Sequence, residues 1–370
     1  MGVVKLGDVA RESRLKWTKS KQDVPIVGLE HLIPDEIRFD AYDINTDNTF
    51  SKRFVKGQVL FGRRRAYQRK AAIAEFDGIC SGDITVIEAI EGKMVPELLP
   101  FIIQTPVFFD YANRGSAGSL SPRVKWEHLA DYEFELPPLE EQKILADKLW
   151  AAYRLKEAYK KLLVATDEMV KSQFIEMFGN CKSQGTLSSL CATFIDGDWI
   201  ESKDQSDNGI RLIQTGNVGF GFFKGREDKS RYITEETFKK LNCTEVVPGD
   251  ILISRLPDPI GRACIVPEGI GKAITAVDCT IVRLNATLLP EFLISFSKTA
   301  LYASQINKIK TGTTRLRVSR GNLGNVIIPI PPIESQHHFA AIAQQADKSK
   351  FELKQCIEHI DKVIKSLING

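Results

Sequence analysis

From Phe339 onward, side chains on one stripe return at alternating steps of four and three residues: Phe339, Ala343, Ala346, Lys350, Leu353, Ile357, Ile360, Ile364 and Leu367, all apolar except Lys350. A spacing of about 3.5 residues places such a set on one side of an α-helix and calls for a second helix to cover it. The stretch from Ile333 to Asn369 contains neither proline nor glycine, so one uninterrupted helix is predicted over it. The segment from Leu139 to Phe178 is equally free of breakers. Its own stripe, Leu145, Leu149, Ala152, Lys156, Tyr159, Leu163, Thr166, Val170 and Gln173, lies 194 residues before the other, and Lys156 falls on Lys350. An amphipathic helix lying on its own domain would explain one such stripe but not two in the same register. The economical prediction is that the two helices pair as an antiparallel coiled coil, which would carry the domains they leave to opposite ends.

Upstream of each helix the period changes from helical to strand-like. Short β-branched and aromatic runs follow turn residues: Val59-Leu60-Phe61 after Gly57, Ile84 to Ile90 after Gly82-Asp83, and Ile251-Leu252-Ile253 after Gly249-Asp250. These runs are copies of one another. Gly57 to Arg63 meets Gly249 to Arg255, and Lys70-Ala71-Ala72-Ile73 meets Arg262-Ala263-Cys264-Ile265, both at an offset of 192. Gly118, Arg123, Val124 and Leu129 meet Gly312, Arg317, Val318 and Leu323 at 194, and Ile26 to Leu29 corresponds more weakly to Leu212 to Thr215. Each copy closes on Pro-Pro-apolar-Glu-x-Gln, at Pro137-Pro138-Leu139-Glu140-Glu141-Gln142 and Pro331-Pro332-Ile333-Glu334-Ser335-Gln336. Prolines there end an extended segment and open a helix. The fold class read from this is α+β: two tandem β-rich domains over 1–138 and 180–332, each followed by a long helix over 139–179 and 333–370.

Composition adds little to this. The chain is 43% apolar and 26% charged with a net charge of +3. No apolar run approaches the ~20 residues of a membrane span. Seven cysteines without a CxxC pair suit reduced thiols, so a cytoplasmic location and no membrane association are expected. The distribution of charge is more informative. Between Asp47 and Glu75 there are eight Lys or Arg and no acid, and between Glu291 and Glu334 there are six and no acid. Two such segments suggest two anion-facing patches, although folding could also disperse them over solvated faces.

Catalytic patterns are sparse. There is no GxxxxGK[ST], and Gly219-Phe220-Gly221 lacks the rest of a dinucleotide fingerprint. The Pro-Pro pairs follow Leu136 and Ile330, which cannot hydrogen-bond a base amine as the Asn or Asp of an adenine-methyltransferase motif would. Five histidines, His337-His338 included, have no Cys or carboxylate at ligand spacing, so no metal is expected. Asp83 with Glu91-Gly92-Lys93 has the look of a nuclease acid-then-ExK set, a short pattern that chance often produces.

The duplicated order of these elements resembles the specificity subunit of type I restriction–modification systems. Gly249 to Arg255, Gly57 to Arg63, and Ser172-Gln173-Phe174-Ile175-Glu176-Met177-Phe178-Gly179 at the exit of the first helix resemble that family's recurring segments. The second copy departs from the pattern at Ser335, where the first has Glu141. The resemblance implies a chain without an active site of its own. Each domain would read one half of a split site on double-stranded DNA, and the helices would set the spacer and dock two methyltransferase (modification) subunits. Those partners would bring S-adenosylmethionine, this chain holding no cofactor, and restriction/translocase subunits would join for cleavage. A helix of about 39 residues spans roughly 58 Å at ~1.5 Å per residue, more than the ~34 Å of one DNA turn. The competing readings are a two-domain protein-interaction scaffold without DNA specificity and a self-contained nuclease.

Under the DNA-reading view, cations preserved between the copies should grip phosphate: Arg63 with Arg255, Lys70 with Arg262, Arg123 with Arg317. Positions that differ should discriminate bases: Arg64, Arg65, Tyr67 and Arg69 in the first domain, and Gln214, Asn217, Arg315 and Arg320 in the second.

Overall fold

Gly57 and Gly249 turn the chain into equivalent strands with φ of 90° and 89°, a left-handed backbone that favours glycine. Their N–H groups close the same turn, onto Ala74 O at 2.8 Å and Val266 O at 3.0 Å. The computed structural model describes residues 2–118 and 121–369. The chain divides into two compact units, residues 1–159 with 355–370 and residues 160–354.

In the first unit, Val59–Gly62 lies between Ala71–Ile73 and Ile84–Ala89, and Ala10–Glu12 adds outside Ile84–Ala89. All these pairings are antiparallel. The second unit repeats the order with Cys191–Asp196, Cys279–Leu284, Ile251–Ser254 and Ala263–Ile265. The register repeats too: Val59 faces Ile87 as Ile251 faces Val282. Val59, Phe61, Ile251 and Ile253 are buried, each in the core of its own unit. A second, three-stranded sheet contains a parallel pair in both units, Ile26–Val27 with Gly78–Cys80 and Ile210–Ile213 with Ala273–Thr275. Here the copies diverge. The third strand, Lys52–Phe54, joins Gly78–Cys80 in the first unit, whereas Tyr232–Ile233 joins Ile210–Ile213 in the second.

The long helices run over Leu139–Phe178 and Ile333–Asn369. Every stripe position named above is buried or half-buried. In the first unit, Leu145, Ile364, Leu367 and Ile368 pack against one core with Leu149, Trp150 and Tyr153. In the second, Phe174 and Phe178 pack on Phe339 and on Phe292 of the helix Pro290–Ser297, with ring centroids 5.0–5.7 Å apart. Position falls along one helix as it rises along the other, so the two pair antiparallel.

The aligned lysines are not stacked on each other. Lys156 meets Asp361 at 2.6 Å in the first unit, and Lys350 meets Asp167 at 2.8 Å in the second. Asp167 and Asp361 are themselves 194 residues apart, so this is one contact made twice. Burial works against the charge of Lys350, yet Asp167 and Asp347 hold its ammonium above the usual lysine range. Each lysine side chain is 18% exposed, which makes an uncompensated charge there costly. Asp361→Lys is therefore expected to destabilise the first unit by about 1 kcal/mol or more in urea melts, and adding Lys156→Asp to recover most of it.

The helices are tied to their domains by the last residue of the Pro-Pro motif. Gln142 Oε1 accepts Val95 N at 2.9 Å, while its Nε2 donates to Pro137 O at 2.9 Å and Lys93 O at 3.4 Å. Gln336 does the same 194 residues later, with Leu289 N at 2.9 Å, Pro331 O at 2.8 Å and Thr287 O at 3.0 Å. Both side chains are buried. The Ser335 departure leaves this contact intact.

Candidate nucleic-acid interface

A cation can bind a nucleic acid only with donors that the fold has not already used. On that test the six positions preserved between the copies divide: Arg255 and Arg262 are engaged by the fold and Arg123 by Asp83, while Arg63 and Arg317 make no side-chain hydrogen bond or ion pair among the described residues. Arg262 is buried and donates to Val218 O, Thr215 O, Pro257 O, Pro259 O and Ser254 Oγ, which occupies its whole fork. Arg255 bonds Val318 O and Val277 O and pairs with Asp196 at 3.2 Å. Lys70 donates to Leu29 O at 2.6 Å. The contact itself repeats at one pair, Lys70 on Leu29 O and Arg262 on Thr215 O, whereas Arg63 makes no counterpart of the Arg255 bonds among the described residues.

Asn217 is also structural. Its Oδ1 accepts Gln214 N at 2.9 Å, closing the short turn Thr215–Asn217, and its amide donates to Lys224 O and Gly225 O. No donor remains for an adenine. His31 closes the equivalent turn in the first unit, its Nδ1 accepting Gly28 N at 2.9 Å. This bears on Glu30, His31 and Asp43, which lie close enough together to hold a metal ion. With Nδ1 accepting, the neutral ring carries its proton on Nε2, 3.7 Å from Asp43, and has no lone pair to offer a metal there. The cluster is a turn lock.

In the first unit part of the arginine cluster is paired from within. Asp83 pairs with Arg123 at 2.7 Å and Arg64 at 3.3 Å. Burial pushes the Asp83 carboxyl up, but the two guanidiniums outweigh it and hold the group below the usual carboxylate range. So engaged, Asp83 is not disposed as a nuclease acid. Arg69 pairs with Asp35 at 2.8 Å and lies over the Phe109 ring. Arg63 is half-buried, and its Nε has no hydrogen-bond partner among the described residues. Arg65 stands in the left-handed region at φ 54°, beside Tyr67, which is 56% exposed. Of the predicted reading residues in this unit, Tyr67 is exposed, and Arg65 is half-buried without an ion pair among the described residues.

The second unit has the opposite character. Thr311 and Arg317 pair across a short loop whose Gly312 has φ 104°, and every residue from Thr311 to Arg317 is exposed. Arg315, Arg317 and Arg320 are exposed and have no ion-pair partner among the described residues. Arg315 lines an open basin of about 550 Å³ together with Lys224, Arg226, Gln214 and Asp278. Lys224 lies over the Phe222 ring, and Phe220, Phe222 and Trp199 are 51%, 57% and 72% exposed. Arg226 adopts φ 51°, unusual for a side chain of its size, and leans over Gly216, where a Cβ would meet its Nη1 at 2.2 Å. Unpaired cations beside exposed aromatic faces can neutralise phosphates and stack on bases. Sequence reasoning does not single out Lys224, Arg226, the three aromatics or Asp278. The available clue is the Gly219-Phe220-Gly221 segment, which lacks a phosphate fingerprint but carries one of the exposed rings.

The molecule is thus a tandem-domain recognition protein, each domain tied to one of two paired helices. A family model described as the type I restriction modification DNA specificity domain matches residues 1–163 and 185–362, and the chain belongs to that family. It is 32% identical over 89 residues to the type I restriction enzyme EcoDI specificity subunit of Escherichia coli, covering 24% of this chain and 19% of that one. The EcoBI specificity subunit, also of Escherichia coli, is 21% identical over 71% of this chain and 62% of its own length. The matches therefore span less than two thirds of either subunit. A solved structure from work on complex assembly and conformational transition of the type I R-M system shares the fold, with TM-score 0.60 and 19% identity over 99% of this chain and 96% of that one.

Proposed function

We propose that this chain is the non-catalytic, sequence-reading subunit of a type I restriction–modification complex, each unit reading one half of a split site on double-stranded DNA. The observation that carries this reading is the duplication of one frame around two different outward faces. Sheet register, turn glycines and the helix clamp are shared, while the exposed chemistry differs, as two unlike half-sites would require. The unpaired cations of the second unit supply the sequence-independent part of the binding.

Two methyltransferase subunits would dock along the paired helices and bring S-adenosylmethionine, and restriction/translocase subunits would complete the cleaving assembly. Leu155, Leu162, Val164 and Met169 on the first helix and Phe351 and Val363 on the second are exposed, apolar side chains available to such partners. No helix among the described residues is long and apolar enough to cross a membrane, in keeping with a cytoplasmic assembly.

Co-expression with the cognate methyltransferase subunit, followed by genome-wide mapping of methylated adenines, tests the proposal. The expected result is a motif of two unlike halves separated by an unread spacer. A single uninterrupted motif would defeat the two-reader arrangement, and loss of all methylation on removing this chain is required.

A further inference from the structure

Among the described residues Asp278 is the one acid lining a basin otherwise furnished with Lys224, Arg226 and Arg315. It is half-buried, and among the described residues its carboxylate accepts no hydrogen bond and makes no ion pair. Its position is not accidental. Asp278 opens the strand Cys279–Leu284 as Asp83 opens Ile84–Ala89, and its carbonyl accepts Arg255 N at 2.9 Å as that of Asp83 accepts Arg63 N at 2.9 Å. The same acid in the same frame thus has two fates. In the first unit it is held by Arg64 and Arg123. In the second, Leu256 stands where Arg64 does, and Arg317, the counterpart of Arg123, makes no ion pair among the described residues. Gln214 lines the same basin, and its side-chain amide likewise makes no hydrogen bond among the described residues.

An unpaired carboxylate on a surface that attracts phosphate weakens backbone binding, unless the duplex offers it a donor. Duplex DNA offers few. In the major groove the donors are the exocyclic amines of cytosine and adenine, whereas guanine and thymine present acceptors there. A carboxylate facing that groove accepts from an amine and is repelled by O6, N7 or O4, so it selects by exclusion as well as by attraction.

We infer that Asp278 is a specificity-determining residue, accepting a hydrogen bond from the exocyclic amine of one base, cytosine or adenine, in the half-site read by the second unit. The inference rests on the DNA-reading role proposed above. It assigns no such role to Asp83, whose oxygens are already engaged by arginines.

The test is selection from a pool of randomised double-stranded DNA by the full chain assembled with its methyltransferase subunits, comparing wild type with Asp278→Asn and Asp278→Ala. Wild type should enrich a split motif. Asp278→Ala should enrich the same motif with its preference for an amino-bearing base relaxed roughly ten- to a hundred-fold at one position of one half, and Asp278→Asn, whose amide both accepts and donates, should move that same position toward adenine, the other half unchanged in both. A motif unchanged in both variants overturns the inference while leaving the DNA-reading role standing. A uniform loss of affinity for all sequences overturns it too, since that marks a residue that only shapes the basin. If wild type enriches no motif, both fall. Circular-dichroism melts of Asp278→Asn, an isosteric change, separate misfolding from altered reading.

Discussion

Replacing Arg315, Arg317 and Arg320 together by glutamine should abolish tight DNA binding while leaving the fold intact. All three are exposed and make no ion pair among the described residues, so the fold does not draw on their charge. Each phosphate contact contributes about 0.9 to the slope of log K against log salt, so removing three of them corresponds to roughly 2.7 units of slope. Near 0.1 M salt that is on the order of a hundred- to a thousand-fold in affinity. Fluorescence anisotropy titrations at several salt concentrations would read both quantities. The parallel substitution of Arg64 and Arg123 should cost less, because both guanidiniums already give donors to Asp83, which cancels one of their two charges. Equal losses in the two experiments would show that the internal ion pairs open on binding. An unchanged salt slope in the triple variant would remove the second unit's hairpin from the interface.

The contrast between the two units also shows where sequence reading reaches its limit. The helix pair is legible in detail, because a heptad stripe is a local property and its burial follows directly from it: Leu149, Phe339, Ala346, Leu353 and Ile360 are all buried. Matching stripes can align Lys156 with Lys350, but cannot show that each meets an aspartate on the other helix. Readout is less legible. Preservation between the copies suggests phosphate contacts, yet in the second unit Arg262 and Arg255 brace loops with their guanidiniums, while Arg63, the counterpart of Arg255, makes no such bond among the described residues. A charge in a sequence carries no mark of whether a carbonyl some 40 residues away already uses it, as Val218 O and Thr215 O use Arg262. In the sequence Asp83 stands out only within a nuclease-like pattern for which the second copy has no counterpart. The acid itself does have one, Asp278, and the strand register reveals it.

The Pro-Pro-apolar-Glu-x-Gln motif serves as punctuation in the sequence, and its chemistry becomes visible only once its glutamine is seen to reach residues 47 positions back. Gln336→Leu should therefore be among the most damaging single changes in the second unit. Leucine is close in size and fills the same buried site, but it leaves Leu289 N–H and the buried Pro331 carbonyl without their partner, while Thr287, which is exposed, can turn its carbonyl to water. At about 1–3 kcal/mol for an orphaned buried group, and less for one that water can reach, the sum is roughly 2–4 kcal/mol. Gln336→Glu should be at least as damaging at neutral pH, since it turns a second carboxylate oxygen toward the two carbonyls. Buried beside those acceptors, the new carboxyl would have its folded-state pKa raised above the unfolded value. The deficit of Gln336→Glu should then shrink as pH falls below the folded pKa and grow as pH rises through it, whereas that of Gln336→Leu should follow wild type. Urea melts across pH, with hydrogen exchange at the start of the second long helix, would read this. If both variants melted like wild type, the glutamine clamp would be ornamental, and some other contact would have to hold the reading domain on its helix.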